Sequence, residues 1–193
     1  LELYAERVAG TVAEMCLELV FHHSPSRGSI PEDVKKELIA AGGRMGVALQ
    51  YVNIARDVRV DAKIGRVYIP EAWLKEEGLT SEGLLAIMRQ RMDSKMQGAL
   101  GGVVEGNMEV VQRLMTKLLD KAFEIYEEAR PALDRLPGEA RKPMTVAVES
   151  YMEIGRVLRE QGTKGFQSGK GRATVKKMRR IGVAWKVLNG WSR

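Results

Sequence analysis

The sequence predicts an all-α protein, and three observations predict it. Ala, Leu, Met, Glu, Lys and Arg, all strong helix formers, crowd a 193-residue chain with only 6 prolines and 3 phenylalanines. Apolar residues recur at three- and four-residue intervals along most of the chain. No stretch of useful length alternates apolar with polar residues as a half-buried strand would, and no internal repeat appears. The composition, 45% hydrophobic and 29% charged, is that of one globular domain with a substantial core.

Each element has its own signal. Tyr4, Val8, Val12, Met15 and Leu19 form one stripe, so 3–22 is a helix, and Ser, Pro and Gly make 22–30 a loop. Pro31 with Glu32 and Asp33 opens a second helix that runs to about Lys63, with a bend at Gly42-Gly43 and a stop at Gly65. A short helix follows Pro70 and ends near Gly78; Thr80 or Ser81 caps the next, which frays into a glycine-rich stretch, 98–106, expected as a flexible loop. Helices over 107–135 and 139–161, parted by Leu136-Pro137-Gly138, precede a loop from Gly162 and a last helix over 172–188.

Charge and cysteine usage bound the function. The single Cys16 excludes an internal disulfide and a zinc cluster, which suits a reducing compartment. Charges such as Arg44 and Arg56 interrupt the longest apolar runs, and Leu1 already lies in a helical pattern, so the expectation is a fragment of a longer chain without a signal peptide. The net charge of +6 comes from the tail: 161–193 holds nine Lys or Arg and no Asp or Glu. Its helix sets Arg172, Lys176, Arg179, Arg180 and Lys186 opposite Val175, Met178, Ile181, Trp185 and Leu188. That pattern suits a helix packed on the bundle, or one in peripheral contact with an anionic membrane. A basic face would also suit nucleic acid, but no base-reading motif accompanies it, so no nucleic-acid partner is expected. His22-His23 reads as a loop pair without metal partners, and Cys16 as core.

The segment Met45–Asp61 carries the chemistry. At about 100° per residue, Gly46, Gln50, Asn53, Asp57 and Asp61 share an arc of about 80°, while Val47, Leu49, Val52, Ile54, Val58 and Val60 are apolar. Asp57 and Asp61 are four residues apart near a helix C-terminus, where they repel each other and the macrodipole opposes them. No Lys or Arg stands three or four positions from either, so positive charge is expected from elsewhere. Two carboxylates and an amide oxygen suit Mg²⁺, which keeps waters and takes substrate phosphates; a solvated face, or arginines from other helices, would also satisfy the stripe.

Met45–Asp61, continued through Gly65-Arg66-Val67-Tyr68-Ile69-Pro70, resembles the second aspartate-rich signature of the phytoene/squalene synthase family. Tyr4-Ala5-Glu6-Arg7-Val8-Ala9-Gly10-Thr11-Val12 is similar to another helix of that family, and Leu136-Pro137, Tyr151 with Ile154, and Arg172-Ala173-Thr174-Val175 fall where it has matching segments. The resemblance spans nearly the whole chain. It implies an isoprenoid-synthase bundle of helices around a central cavity, of which this chain is the C-terminal two-thirds of one domain. It implies that Asn53, Asp57 and Asp61 hold Mg²⁺, for which Mn²⁺ can substitute. Gln50 would line the polar mouth, Arg56 would meet diphosphate, and Tyr4 and Tyr151 would stand near the reacting end. Val8, Gly46 and Ala48 would line the cavity, Val12 and Leu19 would be ordinary core, and Arg172 would close over phosphates.

The implied reaction joins two prenyl diphosphates head to head through a cyclopropyl intermediate. Val58 and Tyr68-Ile69-Pro70 look more like phytoene than squalene synthases, and Val8–Glu14 with Asp61–Arg66 looks like the fungal type, often fused behind a membrane-bound lycopene cyclase. A squalene- or dehydrosqualene-type synthase and a non-catalytic assembly factor are the alternatives, and the cytoplasmic face of a membrane is the expected location. The family's first aspartate-rich motif has no counterpart here, and Val60 replaces a common Glu. Glu124/Glu128 and Glu149/Glu153 are no substitutes, being expected on exposed faces. This chain by itself is therefore expected not to turn over.

Overall fold

Helix periodicity in the sequence becomes helix in space almost everywhere. The computed structural model describes residues 1–25, 30–92, 101–167 and 175–190, with 90–92, 101–107 and 163–167 described by backbone alone. In order come α1 (Glu2–Ala5), a π-helical turn (Glu6–Gly10), α2 (Thr11–His23), α3 (Glu32–Lys63), α4 (Glu71–Glu76), α5 (Ser81–Met92), α6 (Gly101–Ala129), a 3₁₀ turn (Arg130–Arg135), α7 (Gly138–Gln167) and α8 (Lys177–Leu188). No strand occurs among the described residues.

Local chemistry fixes the ends. Pro31 precedes α3, and Gly65 closes it at φ 73°, while the Arg66 N–H returns to the Asp61 carbonyl at 2.9 Å. Gly78 at φ 68° ends the turn after α4, with the Leu79 N–H on the Leu74 carbonyl at 2.8 Å. Thr80 caps α5, its hydroxyl accepting the Gly83 N–H at 3.1 Å.

Some expectations shift. Helix α3 runs unbroken through Gly42 and Gly43. Helix α6 begins at Gly101, inside the stretch 98–106 expected as a loop, and 98–100 lie outside the described residues. The last helix starts at Lys177, because Lys176 is extended at ψ 140°.

Helix α3 is the hub: α6 packs on one side, α2 and the π turn on another, and α7 on a third. Its glycines permit a close crossing with the N-terminal run. A methyl added to Gly46 would lie 2.4 Å from the Ala9 carbonyl oxygen, and one on Gly42 would lie 2.2 Å from the Leu17 Cδ1. Small residues let the two backbones approach until little fits between them. Val47, Val52 and Ala55 of α3 and Leu114, Leu118 and Ile125 of α6 form the packed core.

A second centre of order is ionic. Glu149 and Glu153 of α7 are only 5% and 7% exposed, which corrects the expectation of an exposed face. The Tyr126 hydroxyl donates to Glu149 at 2.5 Å, and Arg156 bridges Glu149 and Glu153 at 3.0 Å each. Arg179 reaches from α8 to Glu153 and Glu160, tying the last helix to α7. Arg179 therefore does not belong to a solvated basic face. Burial, then the bond to Glu149, pushes the Tyr126 hydroxyl well above its ordinary pKa.

Candidate functional site

Between α2, α3, the 3₁₀ turn and α7 lies a cavity of about 400 Å³. One face of α3 supplies its length: Leu38, Ala41, Gly42, Met45, Gly46, Leu49, Gln50 and Asn53. Val8, Val12, Cys16 and Leu17 form a second wall, and Leu133, Leu136, Met144, Val148 and Tyr151 a third. Apart from Cys16, the side-chain polar groups on this surface belong to Gln50, Asn53 and Tyr151, and they stand together. The cavity is a greasy sleeve with one polar end.

That end is a relay of hydrogen bonds. The Asn53 amide donates to the Gln50 Oε1 at 3.2 Å, and the Tyr151 hydroxyl donates to the Asn53 Oδ1. Helix α7 is thus pinned to α3 where the lining turns polar. Arg56 stands beside Tyr151 and donates twice to Asp57, from Nε to Oδ1 at 2.9 Å and from Nη2 to Oδ2 at 2.7 Å. The bond to Asp57 holds the Arg56 guanidinium above its ordinary pKa, so it stays charged.

Asp57 is 8% exposed and lies one helical turn past Asn53. Asp61, one turn further, borders a small crevice with Arg66 and Tyr68. Tyr4 stacks on Tyr68 with ring centroids 5.3 Å apart. The Tyr68 hydrogen bond, then burial, raises the Tyr4 hydroxyl, while Asp61 adds to the shift and Arg66 opposes it.

The sequence-predicted residues therefore divide. Val8, Gly46, Gln50, Asn53 and Tyr151 line the cavity. Asp57, Asp61, Arg56 and Tyr4 continue from its polar end along α3. Arg172 lies outside the described residues.

Several expectations are corrected. Positive charge for Asp57 comes from Arg56, the adjacent residue on its own helix, because the long guanidinium stem folds back where three- and four-residue spacing does not look. Val12 is 52% exposed and lines the cavity, and Leu19 is 59% exposed, so neither is core. Cys16 is exposed and on the cavity wall. Ala48 is fully buried, since two residues' rotation from Gly46 turns it to the opposite side of α3. His22 and His23 occupy the last turn of α2 with their rings edge to face at 4.8 Å.

Sequence reasoning missed Arg66, Tyr68, Met45, Leu49 and the far wall at Leu133 and Leu136. The signal for Met45 and Leu49 was present, because 38, 42, 45, 49 and 53 continue the polar stripe down the same helix face. Leu133 carried none and Leu136 stood out only within a family-like Leu-Pro, since only the tertiary packing brings the 3₁₀ turn beneath α3.

The donor set suits a hard divalent cation: Asn53, Asp57 and Asp61 offer oxygen once per turn, and Mg²⁺ uses one or two carboxylates with waters and substrate phosphates. Among the described residues no group of three or more His, Cys, Asp or Glu converges as a metal cluster by itself. A divalent cation held here would therefore need ligands beyond these three residues, and Arg56 would have to give up its bonds to Asp57. Among the described residues no helix is long and apolar enough to cross a membrane.

Comparison with known proteins identifies relatives over nearly the whole chain. The squalene/phytoene synthase family model matches residues 1–179. A bifunctional lycopene cyclase/phytoene synthase of Gibberella fujikuroi is 52% identical over 189 residues, which is 98% of this chain and 29% of that protein. Proteins of the same description from Pyrenophora tritici-repentis and Neurospora crassa are 49% and 48% identical, over 98% and 97% of this chain. The chain spans only 28% of the length of each of these two.

Proposed function

The chain belongs to the squalene/phytoene synthase family, and on that premise we propose that it is the C-terminal two-thirds of the synthase domain of a fungal-type phytoene synthase, carried in a longer protein that also holds a lycopene cyclase. The reaction is head-to-head condensation of two geranylgeranyl diphosphates. In the first half, the C1–O bond of one substrate breaks, and its carbon bonds to the double bond of the other. Loss of a proton closes a cyclopropane. In the second half, the remaining C–O bond breaks, the skeleton rearranges and a second proton leaves. Two diphosphates and two protons depart, so the C40 polyene forms without a reductant.

The observation that carries this reading is the polarity of the cavity. A hydrocarbon chain fits between Val8, Met45 and Leu133, while its head meets Gln50, Asn53 and Tyr151. The apolar lining offers few groups to hold the water that would quench a carbocation. Arg56 is placed to transfer its two hydrogen bonds from Asp57 to a diphosphate oxygen. Asn53, Asp57 and Asp61 would hold Mg²⁺ or Mn²⁺, which supplies charge neutralisation to the leaving diphosphate. Tyr4 and Tyr68 cover the approach beside Asp61, and the raised Tyr4 hydroxyl keeps its proton and remains a donor.

The full-length protein given geranylgeranyl diphosphate and Mg²⁺ should yield a C40 hydrocarbon by chromatography and mass spectrometry, and Asp57→Ala or a chelator should abolish it. Full product from Asp57→Ala would overturn the assignment. The pairing of Asp57 with Arg56 is also what a non-catalytic relative would show, so an inert wild-type protein would move the reading to an assembly role.

A further inference from the structure

At the polar end of the cavity, Tyr151 stands where two demands on a single proton meet. Its ring enters from α7, and its hydroxyl donates to the Asn53 Oδ1 on α3, whose own amide donates to the Gln50 Oε1 at 3.2 Å. The Asn53 carbonyl is thereby turned to α7, and its nitrogen to the turn before it. The Arg56 guanidinium lies beside the same hydroxyl. An anion that pairs with Arg56 therefore arrives within reach of Tyr151.

A phenol has one proton to give. Hydrogen bonds to a charged oxygen are roughly twice as strong as those between neutral groups, so a diphosphate beside Arg56 draws the proton from Asn53. Helix α7 cannot supply the release by retreating. Glu149 and Glu153 lie about 160° around the helix from Tyr151, and Tyr126 and Arg179 tie them to α6 and α8. The movable part is the O–H itself, which turns about its bond to the ring. We propose that Tyr151 is a latch on Asn53: its hydroxyl holds the amide until an anion at Arg56 takes the proton, and only then is the carbonyl freed as an oxygen donor for a divalent cation. Cation and diphosphate are thus coupled through a protein side chain, besides any bond between them. In that role Tyr151 is a positioning residue, acting through Asn53. The inference rests on the proposed reading of this end as a diphosphate and cation site.

The test is Mn²⁺ binding to the full-length protein, followed by electron paramagnetic resonance with and without inorganic pyrophosphate. Wild type should hold Mn²⁺ alone weakly, and pyrophosphate should tighten it. Tyr151→Phe keeps the ring and removes the latch, so it should bind Mn²⁺ alone about fivefold more tightly, the worth of one ordinary hydrogen bond. The tightening that pyrophosphate brings should shrink by about the same factor or more. Lost packing or a damaged fold could only weaken binding, so a gain identifies the latch. In an Asn53→Ala background the same change should leave Mn²⁺ affinity without pyrophosphate unaltered. Fluorotyrosine at position 151 should report the release without removing the hydroxyl, as a fluorine NMR shift when pyrophosphate is added. Affinity unchanged or lowered in Tyr151→Phe, with pyrophosphate still tightening wild type, would overturn the latch and leave the proposed site standing. Wild type that holds no Mn²⁺ even with pyrophosphate would overturn both.

Discussion

Two acidic pairs spaced four residues apart lie on neighbouring helices, and their surroundings differ. Glu149 and Glu153 take partners from α6, α7 and α8: Arg156 links the two along α7, while Tyr126 and Arg179 stitch α6 and α8 to it. Asp57 accepts two hydrogen bonds from Arg56, its own neighbour on α3. The first pair is fastened into the fold. The second has an arginine paired with it from the adjacent position, beside the polar end of a cavity. Spacing treats the pairs alike; the bonds from Tyr126 of α6 and Arg179 of α8 mark the first.

The sharpest way to break this contrast is to remove Glu149. Glu149→Ala leaves the Tyr126 hydroxyl buried without its acceptor and Arg156 with one carboxylate fewer, and should cost about 3 kcal/mol or more of stability in urea titration. An unchanged midpoint would show that the network is ornamental. Asp57→Asn should do the reverse. Its side chain still accepts one bond from Arg56, so stability should fall by no more than about 1 kcal/mol, while product formation by the full-length protein should fall about a hundredfold or more. A large stability loss there would make Asp57 structural after all.

The smallest effect concerns pH. Arg179 holds the Glu160 carboxyl below its usual 4.5, so this link is complete above that value and fades as pH falls through the lowered one. Hydrogen exchange corrected for pH should show α8 loosening on acidification, and Glu160→Gln should show it already at neutral pH with no acid step. Equal protection in both proteins would mean that Glu153 suffices.

Much of this was legible beforehand. The helix order, the stops at Gly65 and Gly78, and the alignment of Gly46, Gln50 and Asn53 follow from 3.6-residue periodicity and from glycine at left-handed turns. What a helical wheel could not give is which neighbours exist. The stripe Val8, Val12, Leu19 has the same spacing whether it meets a core, a cavity or water, and only the packing against α3 distinguishes them. The arm of Arg56 escaped for a different reason, because side-chain length lets adjacent residues bond although their Cα vectors diverge by about 100°.

Helix α3 is also a measuring rod. From Asn53 to Leu38 it spans about 22 Å of helical rise, and both residues face the same sleeve. Under the proposed function, the head of a bound prenyl chain and its tail would be read by one rigid body at two separated stations. A change of bulk at Leu38 or Ala41 would reset which tail fits while leaving the ionising end untouched, so lineages could trade product size without rebuilding the chemistry.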